Sequence, residues 1–408
     1  MRQRVLKWMF AGSVCTVATC ATTATGADRH AWVDTWTATP DIAGPALNAQ
    51  TVRQIVRTSV GGSEVRVRLS NLFGSVPITL GPVHVALGAE EADAVPGSDH
   101  ALLFNGKPIV TIVKGESVLS DPVTMDVKAL QKLAVSIYVP ADARYHASTI
   151  HNAALATAYI TETGDATAAV QYPRDEVSGN RFFLTDVEVA GPATKYTLVA
   201  FGDSITDGVG SKENANERWP DYLAARLQAD AKLKSIGVAN AGIGGNRILH
   251  DDYGPSAPAR FDRDALDKPG VRWIVLLEGI NDIGGSGYAW ELKDKIVAQQ
   301  LIDGMKTLIA RAHARHVKIY GATLTPYGGS GWPYHSMAGE KTRQQVNAWI
   351  RSPGAFDGVV DFDKAVRDPA APEKMLAAYD SGDHLHLNSA GYRAMANAVD
   401  LSLFADKP

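Results

Sequence analysis

Apolar and polar positions follow different patterns in the two halves of the chain. Between about residues 30 and 189 the apolar residues form short runs, and Val65, Val67 and Leu69 alternate with Arg66 and Arg68. Such alternation is typical of a β-strand with one buried face. Clusters of Gly, Pro, Asp and Asn separate it from further predicted strands at residues 52–60, 78–80, 83–87, 108–113, 133–139, 156–160 and 181–189. Short strands at this spacing predict an all-β domain, a sandwich of jelly-roll-like type.

Two glycines, Gly61 and Gly62, separate the run at 52–60 from the strand around Val65. A glycine pair between two strand-like runs is typical of a tight turn. The sequence therefore predicts that these two strands form a β-hairpin.

From about residue 195 onward, strand-like and helical patterns alternate. Helical periodicity is clearest where Trp219, Leu223 and Leu227 recur every four residues, and again over residues 301–308. The predicted strands lie at residues 196–201, 234–239, 273–277, 317–324 and 358–362. This alternation predicts a doubly wound α/β domain, a parallel sheet with helices on both faces. A boundary in the Pro- and Gly-containing stretch at 190–195 gives a β-rich domain over 28–192 and an α/β domain over 193–408.

The first 27 residues have a pattern of their own. Arg2, Arg4 and Lys7 precede an apolar run over residues 8–21, and small residues lead to Ala27. This order is typical of a secretory signal peptide over residues 1–27. The alternative, a membrane anchor, is disfavoured because the apolar run is too short to span a bilayer. We therefore expect a secreted or periplasmic protein without stable membrane insertion.

Composition narrows the chemistry further. The 408-residue chain is 45% hydrophobic and 21% charged, with a net charge of −4, which gives no indication of nucleic-acid binding. Both cysteines, Cys15 and Cys20, lie in the predicted signal peptide. The mature chain is therefore expected to have no disulfide, thiolate nucleophile or cysteine metal ligand. The sequence leaves the oligomeric state open.

Four motifs lie where the predicted parallel strands end. They are GDS at 202–204, NAGIGGN at 240–246, EGIND at 278–282 and DHLHLN at 383–388. Because the carboxyl ends of parallel strands meet at one edge of a sheet, where α/β proteins keep their sites, we expect these motifs to converge.

Their convergence would bring together the groups that acyl transfer requires. Ser204 is the candidate nucleophile, which needs a base to take its proton. His386 is the candidate base, and Asp383, three residues earlier, is placed to orient its ring. The backbone N–H groups of Ser204 and Gly245 and the side-chain amide of Asn281 are candidates for an oxyanion hole.

The four motifs, in this order, resemble those of the SGNH (GDSL-type) hydrolases over about residues 196–405. The resemblance implies a flavodoxin-like fold, no metal or other cofactor, and hydrolysis of carboxylic esters or thioesters. It places the family's nucleophile on Ser204, its oxyanion-hole residues on Gly245 and Asn281, and its Asp-x-x-His pair on Asp383 and His386. A threonine stands where the second glycine of Gly-x-Ser-x-Gly would be, which argues against an α/β-hydrolase.

Other polar residues in these motifs have different expected roles. His384 is out of register with Asp383 and is interpreted as a structural residue at the rim of the site. Asp203 and Asp282 are expected to stabilise their turns without transferring a proton. The acidic and histidine residues at 380–386 lack companion ligands elsewhere, so no metal site is expected.

The β-rich half, on residues 32–36 and 65–74, resembles the extension of a secreted SGNH subgroup that is similar to xylan-associated acylesterases and arylesterases. Glycine-rich loops at 284–287 and 328–331 contain no long aliphatic stretch and are bordered by aromatic residues. They predict a shallow substrate cleft in which rings stack on a sugar or aryl group, with ordinary loop packing as the alternative. The candidate contacts are Tyr288, Trp290, Tyr327, Trp332 and Tyr334.

The sequence thus predicts a secreted serine esterase that forms an acyl-enzyme on Ser204. The expected substrates are small-molecule or polysaccharide esters with short acyl groups, such as O-acetylated carbohydrate or aryl esters. A phospholipase or lysophospholipase, or an acyltransferase of the same family, is the enzymatic alternative. The non-enzymatic alternative is a carbohydrate-binding protein with an inactive hydrolase domain.

Overall fold

The structure, a computed structural model, describes residues 31–193, 195–285, 295–331 and 333–405. Over residues 31–190 the structure consists of strands and one 3₁₀ turn, Ala141–Tyr145. The strands are β1 (Val33–Thr37), β2 (Ile42–Gly44), β3 (Gln50–Arg57), β4 (Gly62–Ser70), β5 (Ile78–Leu80), β6 (Val83–Leu87), β7 (His100–Leu102), β8 (Val110–Ile112), β9 (Ser117–Leu119), β10 (Val123–Val127), β11 (Lys132–Val139), β12 (Ser148–His151), β13 (Ala158–Ile160), β14 (Glu176–Ser178), β15 (Arg181–Phe182) and β16 (Leu184–Ala190).

Within the described ranges these strands form two larger and two smaller antiparallel sheets. The larger sheets have the orders β1-β16-β4-β10, with β9 also on β4, and β14-β13-β3-β11-β6-β7; the smaller ones are β15-β12-β2 and β5-β8. Val65, Val67 and Leu69 are buried in β4 while Arg66 and Arg68 are partly exposed, which confirms the predicted alternation. Both larger sheets contribute to one buried apolar cluster. The N-terminal part is therefore β-rich, and its packing as a sandwich stays a prediction.

The predicted hairpin at Gly61 and Gly62 is wrong. Strand β3 pairs with β11 and β13, whereas β4 pairs with β16, β10 and β9, so the two strands lie in different sheets. A Cβ atom at Gly61 would overlap the carbonyl oxygen of Val127, and one at Gly62 would overlap that of Ala190. These glycines therefore allow close approach of neighbouring backbones where the chain passes from one sheet to the other.

The part after residue 195 alternates strands and helices. Its strands are β17 (Tyr196–Gly202), β18 (Ile236–Gly242), β19 (Val271–Leu277), β20 (Lys318–Ala322), β21 (Gly358–Val360), β22 (Arg367–Asp368) and β23 (Ala371–Met375). Its helices are α1 (Ser204–Asp207), α2 (Trp219–Ala229), α3 (Ala257–Phe261), α4 (Ile280–Gly284), α5 (Ala298–Ala314), α6 (Met337–Ile350), α7 (Phe362–Val366) and α8 (Ser389–Ala398). A π-helical turn, Asp262–Leu266, continues α3, and a 3₁₀ turn, Leu401–Phe404, follows α8.

Strands β18-β17-β19-β20-β21 form a parallel sheet in that order. This confirms the predicted doubly wound sheet. Strand β18 lies on one side of β17 and β19 lies on the other, so the strand order reverses at β17. Ligands of such sheets bind at this switch point, beyond the carboxyl ends of the strands. Helix α1, whose first residue is Ser204, follows β17 with only Asp203 between them.

The two parts of the chain are in direct contact. The Asp34 N–H in β1 donates to Thr197 Oγ1 in β17 at 3.1 Å, and the Val238 N–H in β18 donates to Ser59 Oγ at 2.8 Å. The N-terminal strands therefore lie against one edge of the parallel sheet. The position of the domain boundary stays a prediction. None of the helices in the described ranges combines the length and apolar character that crossing a bilayer requires.

Candidate active site

The turn after β17 places a serine, Ser204, at the start of a one-turn helix, where it is 6% exposed. The Asp203 carboxylate caps α1 by accepting a hydrogen bond from the Ile205 N–H at 2.9 Å, and the Asp203 carbonyl accepts from the Thr206 and Asp207 N–H groups. The Ser204 N–H has no acceptor among the described residues. The first N–H groups of a helix have no partner within the helix, so this donor is left for a ligand.

Ser204, His386 and Asp383 form a continuous hydrogen-bonded chain. His386 Nε2 lies 2.8 Å from Ser204 Oγ, and His386 Nδ1 lies 2.6 Å from Asp383 Oδ2. Because an ionised carboxylate only accepts, Nδ1 carries the proton and Nε2 is left to accept from the serine hydroxyl. The structure therefore brings together the three residues that the sequence predicts as nucleophile, base and orienting carboxylate.

The Asp383 carboxylate is held in its charged form. Burial acts to raise the pKa of Asp383, but hydrogen bonds from the His386 ring and from the backbone N–H groups of His386 and Leu385 hold it well below its usual value. Hydrogen bonds to the charged form favour ionisation. Asp383 can therefore orient the imidazole and stabilise an imidazolium.

The Asn281 amide is fixed at both ends. It lies at the start of α4, where Nδ2 donates to the Asn246 carbonyl at 2.9 Å and Oδ1 accepts from the Tyr334 hydroxyl at 2.8 Å. These contacts set which end of the amide is the donor. The second Nδ2 hydrogen is the one that an oxyanion would use.

Position 245, which holds the other oxyanion-hole candidate Gly245, requires a glycine for two reasons. Its φ of +75° lies in the left-handed region. A Cβ atom there would also lie 2.5 Å from Cδ2 of Tyr253, whose ring packs against this glycine. Tyr253 is 51% exposed and was not predicted as a site residue. This exposed aromatic side chain lies beside the predicted oxyanion hole.

A buried arginine joins the strand ends beneath the site. The Arg260 guanidinium donates to the carbonyls of Gly202 and Ala241 and to Asn246 Oδ1, each at 2.8 Å. It stacks on the Phe201 ring, with Cζ 3.9 Å from the ring centre. Its charge is opposed by Asp264 and Glu278 at 3.4 and 3.6 Å. One side chain thus connects β17, β18 and the second motif.

Arg260 is not among the residues predicted from the sequence, although its position gives a signal. It is a single cation between small and apolar residues in α3, and such a residue on a buried helix face needs internal partners. Which acceptors it contacts depends on pairings between distant parts of the chain.

Two further carboxyl groups, Asp203 and Asp282, accept hydrogen bonds from backbone near the site; Asp203 stabilises its own turn, as predicted, whereas Asp282 holds the segment after the second motif. Asp282 accepts hydrogen bonds from the Ile248 and Leu249 N–H groups, each at 2.9 Å. Burial raises the pKa of Asp203 to about 7 and that of Asp282 to about 6. Both side chains stabilise backbone that carries the site, and neither forms part of the Ser204–His386–Asp383 chain.

His384 contacts Asp380, whereas His386 contacts the serine. His384 Nδ1 lies 2.5 Å from Asp380 Oδ2, and the His384 side chain is 54% exposed. This contact agrees with the interpretation of His384 as a structural residue at the rim. Among the described residues, no group of three or more His, Cys, Asp and Glu side chains is arranged to hold a metal ion.

The predicted aromatic contacts have different outcomes. Tyr327 is wrong as a substrate contact, because it is fully buried and packs edge-on against Tyr334 and His335. The Tyr334 hydroxyl bonds Asn281, so this residue supports the predicted oxyanion hole. The other three predicted contacts, Tyr288, Trp290 and Trp332, lie outside the described residues.

Comparison with known families gives this geometry a context. Residues 200–394 match the GDSL-like lipase/acylhydrolase family, a segment that contains all four motifs. This part of the chain is a GDSL-like acylhydrolase domain. The domain is a carboxylic ester hydrolase. The turn that carries Ser204 lies at the switch point of its parallel sheet. No curated protein matches the sequence of the chain.

Solved structures with a similar GDSL-type domain each match about half of the chain. They include a GDSL-like lipase from Bacteroides thetaiotaomicron VPI-5482, at 18% identity over 51% of this chain and 87% of that chain, with a TM-score of 0.36. The aryl esterase of M. smegmatis is 17% identical over 50% and 95%, with a TM-score of 0.39. A carbohydrate acetylesterase from Sinorhizobium meliloti is 13% identical over 50% and 96%, with a TM-score of 0.40.

Proposed function

We propose that the protein is a secreted serine esterase that hydrolyses short-chain esters through an acyl-enzyme. In the first step His386 Nε2 removes the proton of Ser204 as Oγ attacks the ester carbonyl carbon. The observation that carries this proposal is the 2.8 Å separation between these two atoms, with Asp383 on the other ring nitrogen. Positioned general bases contribute roughly 10²–10⁴-fold to such reactions.

The tetrahedral intermediate carries a negative oxygen. The Ser204 and Gly245 N–H groups and Asn281 Nδ2 are the donors proposed for it. As the carbonyl re-forms, the ester C–O bond breaks and the His386 imidazolium protonates the leaving alcohol. A water molecule then attacks the acyl group with His386 again as base, which releases the acid and restores the Ser204 hydroxyl.

The proposed substrates are acetyl or butyryl esters of carbohydrates or aryl alcohols. The exposed Tyr253 ring beside Gly245 offers an aromatic face next to the reacting carbonyl, and such faces stack on sugar and aryl groups. This ring therefore favours a flat alcohol. The short acyl group is proposed because the loops at 284–287 and 328–331 contain no long aliphatic stretch in their sequences.

Export is the second part of the proposal and depends on residues 1–27. Arg2, Arg4 and Lys7, the following apolar run and the small residues before Asp28 have the order of a signal peptide. Expression of the full chain in a secreting host, followed by N-terminal sequencing of the exported protein, tests this. Cleavage after Ala27 is expected, and retention of the uncleaved chain inside the cell would contradict it.

A series of p-nitrophenyl esters from acetate to decanoate, assayed on residues 28–408, tests the substrate assignment. We expect kcat/KM to fall as the acyl chain lengthens. Each methylene that finds an apolar pocket would instead add about 0.8 kcal/mol of binding. A steady rise towards decanoate would therefore contradict the proposal and favour a phospholipase. Ser204→Ala should be inactive on every ester, whereas Ser402→Ala, an exposed serine far along the chain, should match the wild type.

A further inference from the structure

A histidine from the β-rich part reaches the turn that carries the serine. His151 is the last residue of β12, and Asp207 is the last residue of α1, which begins at Ser204. His151 Nε2 lies 3.1 Å from Asp207 Oδ1, and the two side chains are only 5% and 6% exposed. This buried contact joins the N-terminal strands directly to the nucleophile helix.

The surroundings of His151 require the charged form of its ring. Nδ1 lies 2.7 Å from the Thr39 carbonyl oxygen, and Nε2 faces the Asp207 carboxylate. A neutral imidazole has one N–H donor, so only an imidazolium donates to both acceptors at once.

Other charged groups surround the same ring. Asp41, in the segment that also contains Thr39, is a second carboxyl whose charge attracts the imidazolium, and Arg181 and Arg218 line the adjoining crevice. Burial acts to lower the pKa of His151, but Asp207 and Asp41 together raise it to about 9. The imidazolium therefore persists through neutral pH.

The helix that this contact holds is short. A single turn has few hydrogen bonds of its own and is marginal in isolation. The Asp203 cap fixes the N-terminal end of α1, and His151 contacts its last residue, Asp207. Displacement of Asp207 would shift Ser204 Oγ relative to His386 Nε2.

We propose that His151 is a positioning residue for ester hydrolysis, which holds α1 so that Ser204 stays within hydrogen-bonding distance of His386. This inference rests on the proposed function. It gives the β-rich part a direct role in the reaction, because the catalytic domain does not supply this contact itself.

The experiment compares His151→Gln with His84→Gln by steady-state kinetics on p-nitrophenyl acetate. His84 is a matched control, since it forms a histidine–aspartate contact with Asp99 at 2.8 Å within the β-rich part. We expect His151→Gln to lower kcat by about 10- to 100-fold with KM within a factor of two, because small displacements of reacting groups have effects of this size. His84→Gln should leave both constants unchanged. Active sites are counted by titration, so that unfolded protein does not enter kcat.

The pH profile separates positioning from a merely structural role. As the pH rises through about 9, His151 loses its proton, so wild-type kcat should fall there, and this alkaline limb should be absent in His151→Gln. If the single variant does not fold, His151→Gln/Asp207→Asn replaces the ion pair by two neutral amides and should show the same loss of the limb. Wild-type kcat in either variant, or an unchanged alkaline limb, would overturn the inference. An inactive wild type would instead overturn the proposed function.

Discussion

His386 Nε2 lies 2.8 Å from Ser204 Oγ, although 182 positions separate the two residues in the chain. The parallel sheet explains this, because Ser204 follows β17 and His386 precedes α8, at the same edge of the sheet. The contact is useful only in one tautomer, which Asp383 fixes from the other side of the ring. The chemistry of the domain thus depends on two consecutive hydrogen bonds.

The two histidines of the last motif should behave differently. His386→Ala should lower kcat by about 10³-fold or more, because an unactivated serine is a poor nucleophile. His384→Ala should retain most activity, because its ring bonds Asp380. Steady-state kinetics on p-nitrophenyl acetate checks both. An inactive His384→Ala beside an active His386→Ala would show that the register of this motif is wrong.

Replacement of Asn281 tests the oxyanion hole. Asn281→Ala should lower kcat by about 10²–10³-fold with little change in KM, because its donor acts mainly in the transition state. Tyr334→Phe keeps the ring but removes the hydrogen bond to Asn281 Oδ1, so it should give a smaller decrease in kcat. Tyr138→Phe, in the β-rich part, is the control. A change confined to KM would mean that Asn281 binds the substrate ground state.

Arg260 should matter for stability. Arg260→Met removes the donor to three acceptors and the buried cation beside Glu278, whereas Asp264 keeps its contact with Arg263. Loss of one member of a buried ionic group lowers the free energy of unfolding by about 3–5 kcal/mol. Urea unfolding measures this, with Arg393→Met as the control, since Arg393 stacks on Tyr222 near the surface. Equal stability of the two variants would contradict this role of Arg260.

Asp203 should make stability depend on pH. Burial raises its folded-state pKa from 3.8 to about 7, so the native state binds a proton more tightly than the unfolded chain. The associated stabilisation is fully present below pH 3.8 and is lost as the pH rises to about 7. At 1.36 kcal/mol per pKa unit this amounts to about 4 kcal/mol.

The measurement is urea unfolding of the wild type and of Asp203→Asn between pH 4 and 8. The asparagine keeps a side-chain oxygen for the Ile205 N–H but does not ionise. Its free energy of unfolding should therefore decrease less over this interval than that of the wild type. Parallel curves for the two proteins would show that Asp203 ionises normally.

Local patterns predicted much of this fold. The alternation at residues 65–69 and the apolar run before Ser204 identified β4 and β17, because side-chain burial repeats along each strand. The motifs at strand ends indicated the site, because all parallel strands end at one edge. Local patterns also misled: Gly61 and Gly62 have a turn-like sequence, but they lie where the chain changes sheets.

The remaining features depend on contacts between distant residues. Tyr327 stands in a glycine-rich loop, and its burial results from packing against Tyr334 and His335. The contact between His151 and Asp207 joins two parts of the chain that have separate hydropathy patterns. The hydropathy pattern of either part gives no indication that these two residues meet, so only the folded structure shows the contact.

Ser204 is proposed as the nucleophile that His386 activates. The most direct measurement is peptide mapping by mass spectrometry after reaction with diethyl p-nitrophenyl phosphate, which phosphorylates activated serines. We expect one adduct, on Ser204, formed in proportion to the loss of esterase activity and much more slowly in His386→Ala. Complete inactivation with the adduct on another residue, or full activity after Ser204 is labelled, would contradict it.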